Sequence, residues 1–373
     1  LLNLYSRHPE YDWVSEGIVA YVTQHLADPQ GGFYAAEDAD SLPPASAIGK
    51  EEVAKEEGAW CVWREEEIRQ ALHSFDSRLV ERFLQAYGVT KQQQQQTVLH
   101  LARGEAPDPT LAPLRQALLT VRQGGRPRPS RDHKVIAAWN GLWLQALSVA
   151  ARRRPEWLPW AQRLAEFIRL QLMPEGNVLL RCWYPPPAVA NLPGLAEDYA
   201  AVIGGLLDFS QTLLRQGQAH SDWLHLASRL QATMDRLFWD DRVGAYATGD
   251  HLVKLHHAYD GAEPSANGLA IRNQVRWSQL KVGDGDKLER LLAFYKEREP
   301  LSCPLAWLAR WELENAIQVT VPNLQWLEGL ADDLIVSVQP ELSQAHVCRG
   351  RSCGPPLDHP AKLKASLDNL VAK

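Results

Sequence analysis

Cysteine and methionine are scarce, with five Cys and two Met in 373 residues. Cys61, Cys182, Cys303, Cys348 and Cys353 are too few and too scattered to staple a chain of this size, which excludes a disulfide framework and fits a reducing, cytoplasmic compartment. Long hydrophobic runs are also missing. The longest apolar stretch, Val135 to Ala151, is broken by Asn140, Gln145 and Ser148 and is short for a bilayer crossing, so no membrane span is expected. The chain opens on Leu1 with neither the charged start nor the apolar run of a secretory signal. Positive charge is not in surplus: 39 Lys and Arg face 45 Asp and Glu, for a formal net charge of -6. No Lys/Arg stripe is interleaved with aromatics, which excludes nucleic acid as a partner.

What is present is helical periodicity of two kinds. Trp13, Val14, Ile18, Tyr21, Val22 and Leu26 recur at helical spacing with a polar back. So do Trp157, Trp160, Ala161, Leu164, Ile168 and Leu172, and then Trp223, Ala227, Leu230, Met234 and Leu237. Between them, Val135 to Ala151 and Tyr199 to Leu214 are apolar nearly all round and must be covered on every side. The second carries Gly204-Gly205, a pair that lets neighbouring backbones approach closely. Lys287 to Glu297 continues the outer type and Pro304 to Gln318 the inner. This alternation predicts two concentric rings of helical hairpins, a mainly α toroid, where a simple bundle would need only the one-sided helices.

The connectors repeat as well. LADPQGGFYAAEDAD (Leu26 to Asp40), LMPEGNVLLRCWY followed by LAEDYA (Leu172 to Ala200), and FWDDRVGAYATGD followed by DGAEPSAN (Phe238 to Asn267) share one plan. Each has a glycine turn, a few extended aromatic residues and an acidic cluster before the next element, so the acids should gather at one end of the ring. Two regions depart from the plan. About 41–131 reads as an irregular insertion, with a strand-like EGAWCVW, a helix-like REEEIRQAL and a solvated Gln92 to Gln96 run. After Ile317, short extended runs and a final helix from Ala361 read as a small α/β appendage. The expected division is thus 1–316 and 317–373.

The motifs GGFYAAEDADS, EGAWCVW, DHKVIAAWNGL, LAEDYA, DGAEPSANG and HVCRGRSCGPPLDHP closely resemble one family. It is the thioredoxin-domain-containing family typified by spermatogenesis-associated protein 20 and bacterial YyaL. The resemblance implies a domain similar to six-hairpin glycosidases and acylglucosamine 2-epimerases, preceded in the full-length protein by a thioredoxin-like domain that is not among these residues. LLNLYSRHPEYDW resembles the tail of the family's first inner helix. The resemblance therefore implies a toroid incomplete at its N-terminus, with an apolar strip left exposed on the inner ring.

The acidic clusters supply the candidate catalytic groups. Asp38 and Asp40 follow the first ribbon beside Glu37, Glu197 and Asp198 open an inner helix, and Asp260 and Glu263 precede another. Glycoside hydrolysis needs two such carboxyl groups, although the same acids can instead cap helices and turns. Candidate substrate contacts are Tyr199, Ser265 and Asn267, together with Trp139 and Asn140, which interrupt the most apolar helix. Asn140 needs a partner that is either a ligand hydroxyl or a backbone carbonyl. Of the 14 tryptophans most must serve the core, and Trp60, Trp63 and Trp183, near the ribbons, are the expected exposed platforms. A 2-epimerase would instead use paired histidines, for which His133 and His256-His257 are the candidates.

Cys348 and Cys353 have four residues between them, unlike the two of a redox CxxC or a zinc knuckle. Two free thiols are expected there, a labile disulfide being the alternative, and no metal or cofactor is expected. The expected partner is a carbohydrate or other small polar ligand, whether the ring hydrolyses it, epimerises it, or only binds it beside a thioredoxin-like module.

Overall fold

The computed structural model describes residues 8–43, 54–89, 96–102, 106–176, 178–188, 192–249, 254–280, 283–331 and 334–371. Residues 1–7 of the opening motif, 92–95 of the glutamine run and 250 of the third connector lie outside them. The fold is mainly α, and the chain forms two compact units, 8–26 with 34–133 and 27–33 with 134–373.

The smaller unit begins with α1 (Asp12–Tyr21) and continues through three short antiparallel pairings. These join β1 (Ala36–Glu37) to β6 (Arg131–Asp132), β2 (Asp40–Ser41) to β3 (Glu56–Glu57), and β4 (Val62–Trp63) to β5 (Thr97–Val98). The stretch read as an irregular insertion has a core of its own. Helices α2 (Glu65–Ala71), α3 (Ser77–Ala86) and α4 (Ala112–Gly125) bury Ile68, Leu72, Phe83, Leu114 and Leu118 together. Asp76 caps α3 by accepting from the N–H groups of Arg78 and Leu79 at 2.9 and 3.2 Å.

The larger unit is built of helical hairpins with the inner and outer alternation of an (α/α)6 toroid. Its elements run β7 (Val135–Ile136), α5 (Ala137–Ala150), α6 (Leu158–Phe167), β8 (Cys182–Trp183), α7 (Ala196–Arg215) and α8 (Ser221–Phe238). They continue with β9 (Trp239–Asp240), β10 (Ala245–Tyr246), α9 (Ala266–Gln279), α10 (Gly285–Phe294) and α11 (Pro304–Asn315). Inner helices α5, α7, α9 and α11 pack in succession, while α6, α8 and α10 lie against α5, α7 and α9 respectively. Of the 20 residues of α7, the buried set runs almost unbroken from Ala196 to Leu214, as a helix without a polar face requires.

The inner helices are parallel. Ala138 at the start of α5 bonds to Asp198 at the start of α7, and the Ser148 carbonyl near the end of α5 accepts from Thr212 near the end of α7. Glycines allow this pair to sit close. A Cβ on Gly205 would lie 2.6 Å from the Gly141 carbonyl oxygen, and one on Gly141 would lie 2.6 Å from the Ala201 carbonyl carbon. The neighbouring Gly204 has more room, with its nearest atom, Asn273 Oδ1, at 3.1 Å.

The chain then forms the small α/β appendage: β11 (Ile317–Val321), β12 (Ile335–Val338), β13 (His346–Arg349), β14 (Ser352–Cys353) and α12 (Pro360–Val371). The strand order is β12-β11-β13-β14, with β11 and β12 parallel. Val319, Val336, Leu363 and Leu367 form its core together with Leu214 of α7. The Gln211 side chain accepts from Val336 N–H at 3.0 Å and donates to its carbonyl at 3.1 Å, so α7 covers the edge of β12.

Cys348 and Cys353 are joined by a disulfide rather than left as free thiols, because their strands pair antiparallel and place the two residues directly opposite one another. On α11, Trp307, Leu308 and Trp311 are exposed. Among the described residues no helix is long and apolar enough to cross a membrane.

Gly205→Ala should lower the thermal unfolding midpoint. The overpacking penalty of about 1–3 kcal/mol exceeds the roughly 1 kcal/mol that alanine gains in a helix. A midpoint equal to or above the parent's would show that α5 and α7 are not in this contact.

Candidate functional site

The candidate acids divide between the units. In the smaller unit, Asp38 accepts from Lys55 Nζ at 3.0 Å, Ser130 Oγ at 3.0 Å and Asp40 N–H at 3.2 Å. The Lys55 bond first, then those from Asp40 and Ser130, hold its carboxyl at about 2. A group that acidic cannot carry a proton near neutrality. Asp40 lies on β2 opposite Glu57, and Glu37 accepts from the Tyr21 hydroxyl at 2.7 Å.

In the larger unit the N-terminal ends of three inner helices carry the remaining candidates, and their surroundings sort them. Asp198 is enclosed, with a side chain 1% exposed. It accepts from Leu195 N–H at 2.9 Å, which fixes the entry of its own helix, and from Ala138 N–H at 3.1 Å, which ties that entry to the first turn of α5. Arg181 Nη1 lies 3.3 Å from it and 2.9 Å from Glu197. Burial pushes the Asp198 carboxyl up to about 6, against the two backbone donors and Arg181 that favour its charged form. Glu197, with a side chain 23% exposed, accepts from the same guanidinium.

Asp260 is occupied by the backbone. Oδ1 accepts from Ser265 N–H at 2.9 Å and from its hydroxyl at 2.6 Å, and Oδ2 accepts from Leu305 N–H at 2.9 Å. The Asp260 carboxylate thereby joins the starts of α9 and α11, with Ser265 capping α9 through Gly268 N–H. Glu263 differs. It is exposed, and Oε1 accepts from the indole N–H of Trp139, itself 39% exposed on the first turn of α5, at 2.8 Å.

Four of the candidate substrate contacts are structural. Asn140 accepts from Phe33 N–H at 2.9 Å and donates to the carbonyls of Phe33 and Ile136. Asn267 makes the same clamp two repeats later, accepting from Tyr246 N–H at 2.8 Å and donating to the carbonyls of Tyr246 and His257. In both cases a buried amide on an inner helix grips an aromatic residue of the connector ribbon through its main chain. Tyr199 is buried with its hydroxyl accepting from Leu179 N–H at 3.0 Å, and Ser265 is the cap already described.

The expected platforms are placed differently too. Trp63 is buried under the Arg126 guanidinium, Trp60 is flanked by Arg122 and Arg128, and Trp183 stands edge-on to Phe167. Of the histidines, His256 lies 3.3 Å from the buried Asp240, and His133, in the smaller unit, packs edge-on against Tyr34.

At these helix starts the described side chains that are at least partly exposed include Trp139, Glu263, Glu197 and Arg181. The sequence reading did not single out Arg181. Its signal was its position in the second connector, two residues before the aromatics of CWY, where a cation can meet the acids that open the next helix.

Asp198→Asn supplies one acceptor where two backbone N–H groups need them, and should cost about 1–3 kcal/mol. The folded carboxyl titrates at about 6 and the unfolded one at its ordinary 3.8. The acid form thus stabilises the fold below about pH 4, and this contribution is lost as pH rises through about 6. Denaturant unfolding should show a wider gap between parent and variant at pH 4 than at pH 7.5, by on the order of 2–3 kcal/mol. A gap that is constant, or widens toward pH 7.5, would contradict the raised carboxyl.

No family model matches the chain. Human spermatogenesis-associated protein 20 is 32% identical over 336 aligned residues, which cover 77% of this chain and 41% of the human protein. An uncharacterized protein of Caenorhabditis elegans is 28% identical over 394 aligned residues, covering 91% of this chain and 51% of that one. The chain thus spans about half the length, or less, of these curated relatives. Among solved structures, a family 105 glycoside hydrolase of C. acetobutylicum aligns with a TM-score of 0.37 at 8% identity, over 79% of this chain and 74% of that chain, a likeness too slight to transfer activity. On sequence identity, the stretch that aligns belongs with spermatogenesis-associated protein 20 and its relatives.

Proposed function

We propose that the larger unit binds a carbohydrate at the N-terminal ends of α5, α7 and α9 and hydrolyses a glycosidic bond there. What supports this reading is the exposed Trp139–Glu263 pair. An indole face packs against the C–H face of a sugar, while a carboxylate held at its edge accepts from ring hydroxyls. A carboxylate so placed could serve as the base or nucleophile of a glycosidase pair. In this reading Glu197, partly exposed and paired with Arg181, is the second carboxyl group, and Asp198 shares that guanidinium. In this reading the ring serves a longer protein that also contains a thioredoxin-like module.

A second reading, sugar binding without turnover, is favoured by one observation: Asp198 and Asp260 are committed to helix entries. A panel of oligosaccharides separates the two. Glu263→Gln and Glu197→Gln should each lower turnover by about 10²–10⁴ with unfolding midpoints unchanged. Trp139→Ala should weaken binding by roughly tenfold. Saturable binding without products would support the second reading, and a panel showing neither binding nor products would refute both.

A further inference from the structure

The opposite end of the same inner helices holds a cavity of about 410 Å³. Its walls come from the C-terminal halves of α5, α7 and α9, from α11, and from the appendage that closes this end. Four guanidinium groups line it, those of Arg152, Arg272, Arg276 and Arg349, against two carboxylates, Asp208 and Glu312.

Both carboxylates are already engaged. Asp208 lies 3.0 Å from Arg152 and 2.9 Å from Arg276 and accepts from Gln145 at 2.8 Å. Burial alone would raise its carboxyl, but Arg276 and Arg152 outweigh that and hold it below the usual value. Glu312 takes Arg272 through both oxygens, at 2.6 and 3.1 Å. Arg349, on β13, donates to the neutral Asn315 Oδ1 at 3.2 Å, and among the described lining residues no carboxylate pairs with it. The carbonyl ends of the inner helices offset part of the positive surplus. Around this cluster the lining is apolar, with Leu207, Ile335, Leu370 and the exposed ring of Trp311.

We propose that this cavity is a second binding site, distinct from the carboxylate end, for a small organic anion. A phosphate ester and a carboxylate share the required chemistry, a planar or tetrahedral oxyanion read by guanidinium forks, with an apolar body against Trp311. Because α7, α9, α11 and β13 all contribute to the walls, an occupant would also brace the appendage against the helices.

Isothermal titration of the full chain with glycerol 3-phosphate, inorganic phosphate and citrate, with glycerol as neutral control, tests this. Saturable binding of at least one anion is expected, weakening as salt is raised, and the ranking of phosphate ester against citrate identifies the headgroup. Arg349→Glu should weaken it at least about tenfold, Arg349→Lys should keep it within about threefold, and Glu263→Gln should leave it unchanged. If Arg349→Glu fails to fold, Arg349→Gln, which retains a donor for Asn315, carries the expectation of a loss. The proposal is overturned if no anion saturates, if glycerol binds as well as the anions, or if the charge-removing variants bind like the parent.

Discussion

The Asp198 carboxylate is the constraint on which the larger unit's arrangement depends. Parallel inner helices bring the positive ends of their dipoles together, together with N–H groups that lack partners inside their own helices. One buried carboxylate answers both problems, by accepting from the entry of α7 and from the first turn of α5. The cost is desolvation, visible in a carboxyl pushed up to about 6. Arg181 limits that cost and also pairs with Glu197. The residue after Ala138 is Trp139, so the turn fixed by Asp198 is also the turn that meets Glu263.

A second regularity fixes the ribbons. Asn140 and Asn267 hold Phe33 and Tyr246 by two-point main-chain clamps, and Tyr199 holds Leu179 in the intervening repeat. Asp260 extends the same economy to the entries of α9 and α11. The helix ends then differ in character. The N-terminal ends gather carboxylates and the C-terminal halves gather guanidinium groups, each sign opposing the helix dipole beside it.

The hairpin alternation was legible in the sequence because a helix that is apolar all round has only one kind of position to occupy. Close approach was legible at Gly205, whose partner Gly141 lay within a segment already read as buried. The core of the stretch 41–131 was not, because α2 and α3 are short helices whose burial depends on Leu111, Leu114 and Leu118, some thirty to fifty residues away. For the site, sequence marks residue types but not their partners. Asn140, Asn267, Asp260 and Glu263 look alike as polar residues near helix starts, and only coordinates separate the first three, bonded to main chain, from the fourth, bonded to an exposed indole. The same holds for Cys348 and Cys353, whose pairing follows from a strand register that their spacing does not encode.

The most direct test is to follow the indole N–H resonances of the nitrogen-15-labelled chain while titrating an oligosaccharide. The Trp139 resonance should shift saturably, while that of Trp277, buried and bonded to Gln231 at 3.2 Å, should not. Saturable binding by calorimetry that leaves the Trp139 indole unmoved would contradict the claim that the first turn of α5 organises the ligand site.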